Sequence, residues 1–188
     1  MPVEEHRREA PVDVRCMIVT VSDTRTPDTD KSGQLIRQLL EEAGFTIADY
    51  RIVKDEYDDV RSLLCHASDG ERIDAVLLNG GTGIALRDTT YEAVRDSLDK
   101  EMPGFGEIFR YLSYTEDVGP AAMLSRAVAG VCGRTVVFSM PGSPAAVRLA
   151  MTKLIVPELR HVVREIRKDR GAQRLPAPDS MTKGETCT

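Results

Sequence analysis

Three glycines in five positions, Asn79-Gly80-Gly81-Thr82-Gly83, make the most chemically specific stretch of this 188-residue chain. Glycine lets the backbone take positive φ and turn successive N–H groups toward an anion, and Thr82 adds a hydroxyl. The same letters also suit a turn that merely needs small residues. The stretch is neither GxxxxGK[ST] nor GxGxxG, so neither a Walker loop nor a dinucleotide fingerprint is present. Asp88 follows Gly83 by five positions and stands before Thr89-Thr90. There it reads either as a helix N-cap or as a carboxylate for Mg²⁺, which is usually held by one or two carboxylates together with ligand phosphates. Asp55, within Lys54-Asp55-Glu56, offers a second carboxylate. Ser22-Asp23-Thr24-Arg25 reads as a hydroxyl-lined anion site or as an ordinary turn. Pro141-Gly142-Ser143-Pro144 presents a helix N-terminus, whose partial positive charge and free N–H groups are compatible with simple capping. Ser125-Arg126 falls in a predicted helix, where a lone arginine reads as a surface residue.

These residues act together only if the elements before them end in one place. Residues 16–21 (CMIVTV), 75–78 (AVLL) and 135–140 (TVVFSM) are short, apolar, β-branched runs of the kind found in strands buried on both faces. A less regular strand is predicted over 45–53. Asp30 caps a predicted helix with Leu35, Ile36, Leu39, Leu40 and Ala43 on one face, stopping at Gly44. A second helix turns Val60, Leu63, Leu64 and Ala67 inward ahead of Gly70. A third opens at Thr89 or Thr90 and carries Tyr91, Val94 and Leu98 on one stripe. Residues 104–130 read as helical pieces broken near Gly119-Pro120. A long helix starts at Ser143-Pro144, kinks or restarts at Pro157 and runs out near Asp169. Alternating strands and helices predict an α/β fold, a mostly parallel sheet covered on both faces. Ligands of such sheets sit at the carboxyl ends of the strands, where the four loops named above share one rim.

Length and composition set limits. One domain is predicted over 14–170, with flexible tails at 1–13 and 171–188, the second of which has no periodicity. Charged residues make up 29% and hydrophobic residues 41%, an ordinary globular balance. A net charge of −5 and an aromatic content of 5% argue against a nucleic-acid surface, which needs a basic face and stacking rings. A small phosphorylated ligand is not excluded, because backbone N–H groups hold it without net positive charge. Cys16, Cys65, Cys132 and Cys187 form no CxxC pair, and His6, His66 and His161 supply no metal-ligand spacing beside them, so free thiols are expected. The charged first fifteen residues do not read as a signal peptide, and no apolar run approaches the roughly 18 residues of a membrane span. A soluble, cytoplasmic protein with no membrane partner is expected.

Seven motifs in fixed order carry a resemblance. Val-Ser-Asp-Thr-Arg (21–25), Lys-Asp-Glu (54–56), Asn-Gly-Gly-Thr-Gly-Ile (79–84), Arg-Asp-Thr-Thr (87–90), Gly-Phe-Gly-Glu-Ile-Phe-Arg (104–110), Met-Leu-Ser-Arg-Ala (123–127) and Met-Pro-Gly-Ser-Pro (140–144) resemble the MoaB/MogA family of molybdenum cofactor biosynthesis proteins. The same module is similar to the G domain of gephyrin, and the wording around 104–114 is nearer the MoaB branch. The resemblance covers residues 14–166. It implies a three-layer α/β/α domain that binds molybdopterin, a pterin dithiolene with a terminal phosphate. In active members that phosphate attacks the α-phosphorus of Mg-ATP, giving adenylyl-molybdopterin and pyrophosphate.

Carried over by position, Asp55 and Asp88 match the family's two acidic residues, which would hold Mg²⁺ and orient the triphosphate. Gly80, Gly81, Thr82 and Gly83 match the loop around the ligand phosphates. Ser22, Asp23, Asn79, Ser125, Pro141, Gly142 and Ser143 fall among positions that line the same pocket. A homotrimer or dimer of trimers, and partners among other molybdenum cofactor biosynthesis proteins, are implied in the same way. Ala85 departs from the pattern, standing where a hydroxyl residue is expected. Two functions therefore compete: a molybdopterin adenylyltransferase, and a non-catalytic molybdopterin-binding carrier on the same fold. A flavodoxin-like nucleotide-binding domain of another family is a third.

Overall fold

Residues 13–69 and 73–168 are described by the computed structural model. Asp30 Oδ1 accepts the Gly33 N–H at 3.0 Å and starts α1 (Lys31–Glu42), as its place before the apolar stripe predicts. Leu35, Ile36 and Leu40 are buried on the inner face of this helix. It ends before Gly44, which takes φ 74°, and the chain turns into β2 (Thr46–Val53).

β1 (Arg15–Val21), β3 (Ala75–Asn79) and β6 (Thr135–Met140) are the buried centre of a six-stranded sheet. The strand order is β2-β1-β3-β6-β5-β4, and the first three pairings are parallel. The period-two alternation of a strand divides each of them between two cores. Cys16 and Ile18 of β1, with Leu77 and Phe138, pack toward α1 and toward the later helices. Met17, Val19 and Val21, with Val76, Leu78 and Val137, pack toward α2 (Tyr57–Asp69) and α3 (Thr90–Arg95). On α2 the inward residues are Val60, Leu63, Leu64 and Ala67, as the spacing predicts. Helices on both faces make the three-layer α/β/α arrangement.

The stretch 104–130 differs from its sequence reading. α4 (Pro103–Glu116) and a 3₁₀ turn (Gly119–Leu124) are helical, but Val128–Cys132 is β5, antiparallel to β6. A two-residue strand, β4 (Lys100–Glu101), pairs antiparallel with β5 at the far edge. Alanine, methionine and leucine give residues 120–130 a helical composition, which the ladder bonds to β6 override. The tight Gly133-Arg134 link between two apolar runs is the hairpin signal that composition conceals. Ser125 and Arg126 consequently lie in an extended approach to β5 and not in a helix. Leu98 lies beyond the end of α3.

Ser143 Oγ accepts the Ala146 N–H at 3.2 Å and caps α5 (Pro144–Ala150). A π turn (Met151–Ile155) then leads into α6 (Val156–Lys168). This is the break expected at Pro157, because the turn widens the helix where the proline ring would meet the Lys153 carbonyl. Gly70, the tail at 171–188 and all of the tail at 1–13 except Asp13 lie outside the described residues. Among the described residues no helix is long and apolar enough to cross a membrane.

Leu77 is fully buried in the central strand. Leu77→Ala should destabilise the fold by about 2–5 kcal/mol, read from the urea midpoint. A loss below about 1 kcal/mol would show that the centre of the sheet relaxes around the cavity.

Candidate functional site

Because β2, β1, β3 and β6 are parallel, the loops after them meet at one rim, as expected. The first tie among them is a buried charge. Asp30 has no exposed surface, and a carboxylate in that position needs donors. Gly33 N supplies one, Tyr50 Oη donates to Oδ2 at 2.5 Å, and Arg25 Nη1 stands 3.4 Å from Oδ1. Burial, and then the bond to Asp30, push the Tyr50 hydroxyl up to about 12. Arg25 also donates to Asn79 Oδ1 at 3.3 Å and to the Gly142 carbonyl at 2.8 Å, and Ser32 Oγ reaches that carbonyl at 2.7 Å. The loops after β1, β3 and β6 are thus held by one guanidinium.

The sequence-predicted residues divide into two groups around this frame. Ser22 Oγ accepts the Thr24 and Arg25 N–H groups at 3.3 and 3.2 Å, which closes the turn of the first loop. Fully buried Asn79 donates to Thr20 Oγ1 at 2.8 Å and to the Val19 carbonyl at 3.3 Å. Ser143 fills the cap of α5. Ser22, Asn79, Gly142 and Ser143 therefore spend these polar groups on the rim's own architecture. Asp23 faces solvent, and its carboxylate takes Arg87 Nε and Nη2 at 3.1–3.2 Å and the Asp55 N–H at 3.3 Å. Arg87 Nη1 also donates to Glu56 at 2.7 Å, so it spans the loops after β1 and β2. The Arg87 guanidinium, helped by the Asp55 N–H, holds the Asp23 carboxyl below the usual carboxylate range.

Gly80, Gly81, Thr82 and Gly83 do form a turn that needs glycine. Gly80 takes φ 106°, and a Cβ there would stand 2.2 Å from the Val21 carbonyl oxygen. Gly81 takes φ 60°, and its Cβ would meet Thr90 Oγ1 at 2.1 Å and Asp55 Oδ2 at 2.6 Å. The site is therefore closed by backbone fitted against a carboxylate. Asp55 is buried, and its Oδ1 accepts from Thr89 N at 3.2 Å, Thr89 Oγ1 at 3.3 Å and Thr90 Oγ1 at 3.1 Å. A strand-end aspartate thus caps α3 from outside the helix. Asp88 is not the cap of that helix; Thr89 holds the N-cap position. The Asp88 carboxylate turns back along the loop, where Oδ2 accepts the Ala85 N–H at 3.1 Å and would lie 2.4 Å from a Cβ on Gly83.

Two carboxylates, 33 positions apart in the chain, therefore border the same glycine turn, one at Gly81 and the other at Gly83. Among the described residues no three His, Cys, Asp or Glu side chains gather as a complete metal cage. Two carboxylates are the donor type that Mg²⁺ takes where ligand phosphate oxygens and water complete the shell. Ser125 precedes the residue that reaches the loop, which is Arg126. The Arg126 guanidinium donates to the carbonyls of Thr82, Gly83 and Asp88 and to the Glu92 carboxylate. Its reading as a surface residue is overturned, since the supposed helix that pointed it outward does not exist. Arg25, Arg87 and the pair Thr89-Thr90 were also missed as site residues, although all stand inside the quoted motifs.

Comparison with known proteins points to one family from three directions. Residues 17–161 match the family described as a probable molybdopterin binding domain. A relative from Halalkalibacterium halodurans, molybdenum cofactor biosynthesis protein B, is 68% identical over 170 residues, spanning 90% of this chain and all of the relative. A crystal structure of a molybdenum cofactor biosynthesis protein B, 57% identical, superposes with a TM-score of 0.82 over 85% of this chain and 99% of that one. The tungsten cofactor synthesizing protein MoaB from Pyrococcus furiosus, 38% identical, superposes at 0.75 over 84% and 99%.

The Asp23–Arg87 pair gives a pH test. Arg87→Ala should raise the Asp23 pKa toward its ordinary value, measured by carboxyl ¹³C NMR. Because the folded value is depressed, the contribution of the pair is present at neutral pH and fades as pH falls through that value. An unchanged Asp23 titration would show that Arg87 does not set it.

Proposed function

The chain belongs to the MoaB/MogA family of molybdenum cofactor biosynthesis proteins, and we propose that it binds molybdopterin and adenylylates its terminal phosphate with Mg-ATP. The observation that carries this reading is the approach of Asp55 and Asp88, from separate parts of the chain, to opposite ends of one glycine turn. In the reaction an oxygen of the molybdopterin phosphate attacks the α-phosphorus of ATP. A new P–O bond forms while the bond from that phosphorus to the α–β bridging oxygen breaks, and pyrophosphate leaves.

Phosphoryl and nucleotidyl transfers need chiefly alignment and charge neutralisation, which Mg²⁺ supplies when bound. Asp55 and Asp88 hold the ion in this reading. The amides of Gly81–Gly83 and the Thr82 hydroxyl take the polyphosphate. Ser22, Asp23, Ser125 and the turn Pro141-Gly142-Ser143 border the molybdopterin side, with Asn79 and Gly142 kept in place by Arg25. The reaction is cytoplasmic in this account, and its product passes to another protein of molybdenum cofactor biosynthesis. Neither a nucleic acid nor a membrane is a partner.

One contact favours the second reading, a molybdopterin-binding carrier without turnover. Asp88 Oδ2 already accepts the backbone N–H of Ala85 at 3.1 Å, which leaves that oxygen less available to an ion. The homotrimer or dimer of trimers implied by resemblance is supported by exposed apolar side chains on α4 and the turn after it, namely Ile108, Tyr111, Val118, Met123 and Leu124.

Protein incubated with molybdopterin, ATP and Mg²⁺ should yield adenylyl-molybdopterin and pyrophosphate. Asp88→Asn should lower turnover by roughly a hundredfold or more while leaving the fold and molybdopterin binding intact. Binding of molybdopterin by the unaltered protein with no adenylylated product would assign the carrier role instead. Sedimentation equilibrium should give the mass of three or six chains, and a monomer would remove the oligomer.

A further inference from the structure

Among the described residues, no protein acceptor meets the backbone N–H groups of Gly81, Thr82, Gly83 and Ile84. Positive φ at Gly80 and Gly81 bends this turn, and its free N–H groups are of the kind that an anion takes. What orients two of them, those of Gly83 and Ile84, lies behind the turn.

Arg126 Nε donates to the Thr82 carbonyl at 3.2 Å, and Nη2 donates to the carbonyls of Gly83 and, at 3.0 Å, Asp88. Nη1 is held by the Glu92 carboxylate, and the guanidinium lies 5.0 Å from the centre of the Tyr91 ring. The side chain is only 23% exposed, so this fork is fixed from several sides. A trans peptide unit is planar, and its C=O and N–H point in opposite directions. A guanidinium that gathers the carbonyls of Thr82, Gly83 and Asp88 therefore turns the N–H groups of Gly83, Ile84 and Thr89 away from itself. For the last of these the destination is visible, since Thr89 N donates to Asp55 Oδ1 at 3.2 Å.

We propose that Arg126 is a positioning residue for a polyphosphate site, holding the Gly83 and Ile84 N–H groups toward the anion and steadying Asp55 through Thr89. It does not touch the anion. Its charge is balanced nearby by Glu92, so its effect is geometric and depends on the planar fork. Lysine, a point charge on a flexible stem, cannot reproduce three carbonyl contacts and an ion pair at once. The proposal rests on the reading of the glycine turn as the triphosphate site.

The test uses the full chain with inorganic pyrophosphate and Mg²⁺, by calorimetry and by ¹⁵N-glycine NMR. The unaltered protein should bind with a shift of the Gly83 amide resonance. Arg126→Lys should weaken binding by roughly tenfold, as misplaced donors do, and diminish the Gly83 shift. Arg126→Ala should weaken it further; if that variant does not fold, the lysine variant alone decides. A merely structural role would lower the number of competent sites and leave the Kd of each unchanged. Lysine-variant binding within about twofold of normal, with the Gly83 shift retained, would overturn the positioning role alone. No pyrophosphate binding by the unaltered protein would overturn the triphosphate reading itself, and this proposal with it.

Discussion

A carboxylate with no exposed surface is tolerated only where donors surround it, and Asp30 imposes that condition on the whole rim. Its partners come from the start of α1, from β2 and from the loop after β1. The last of them, Arg25, then reaches the ends of β3 and β6. The loops after β1, β3 and β6 are thereby placed relative to one another by polar geometry. Removing one partner would leave a buried charge short of donors, which is why such a hub specifies position more strictly than apolar packing does.

The side of the rim proposed to take the ligand follows a different rule. There the donors are backbone N–H groups and the acceptors are two aspartates whose oxygens are already partly engaged. Asp55 has a double task, since the oxygen that caps α3 is not the one that faces Gly81. A substitution at Asp55 consequently mixes stability with ligand chemistry, whereas Asp88 is held by a single loop amide. At Gly81 and Gly83 the backbone lies too close to the two carboxylates to carry a side chain, so the surface at those two points is main chain, with Thr82 between them.

The central strands were legible in the sequence because burial on both faces leaves short β-branched runs, and α1 because a capping aspartate precedes a clear stripe. Asp55, Asp88 and the glycine turn were legible because strand ends in a parallel sheet converge. The region 104–130 was not, since Ala121, Ala122, Ala127 and Ala129 signal helix by composition while the pairing that makes β5 a strand lies in β6. That single misassignment hid Arg126, whose direction depends on the chain being extended there. Arg87 and Arg25 escaped for another reason. Their partners, Asp23 with Glu56 and Asp30 with Asn79, are set by the meeting of separate loops, and no local spacing announces a contact across a rim.

β3 pairs with β1 on one side and with β6 on the other, and each pairing joins residues about sixty positions apart, whereas β5 meets β6 across a two-residue link. The hairpin closes a short loop at little entropic cost, but the strand that ends in the glycine turn forms its ladders only by closing two long ones. The turn thus has no local folding unit of its own. Its conformation is a product of the cooperative transition of the whole domain, and a polyphosphate bound there would report on global unfolding and not on the fraying of one segment.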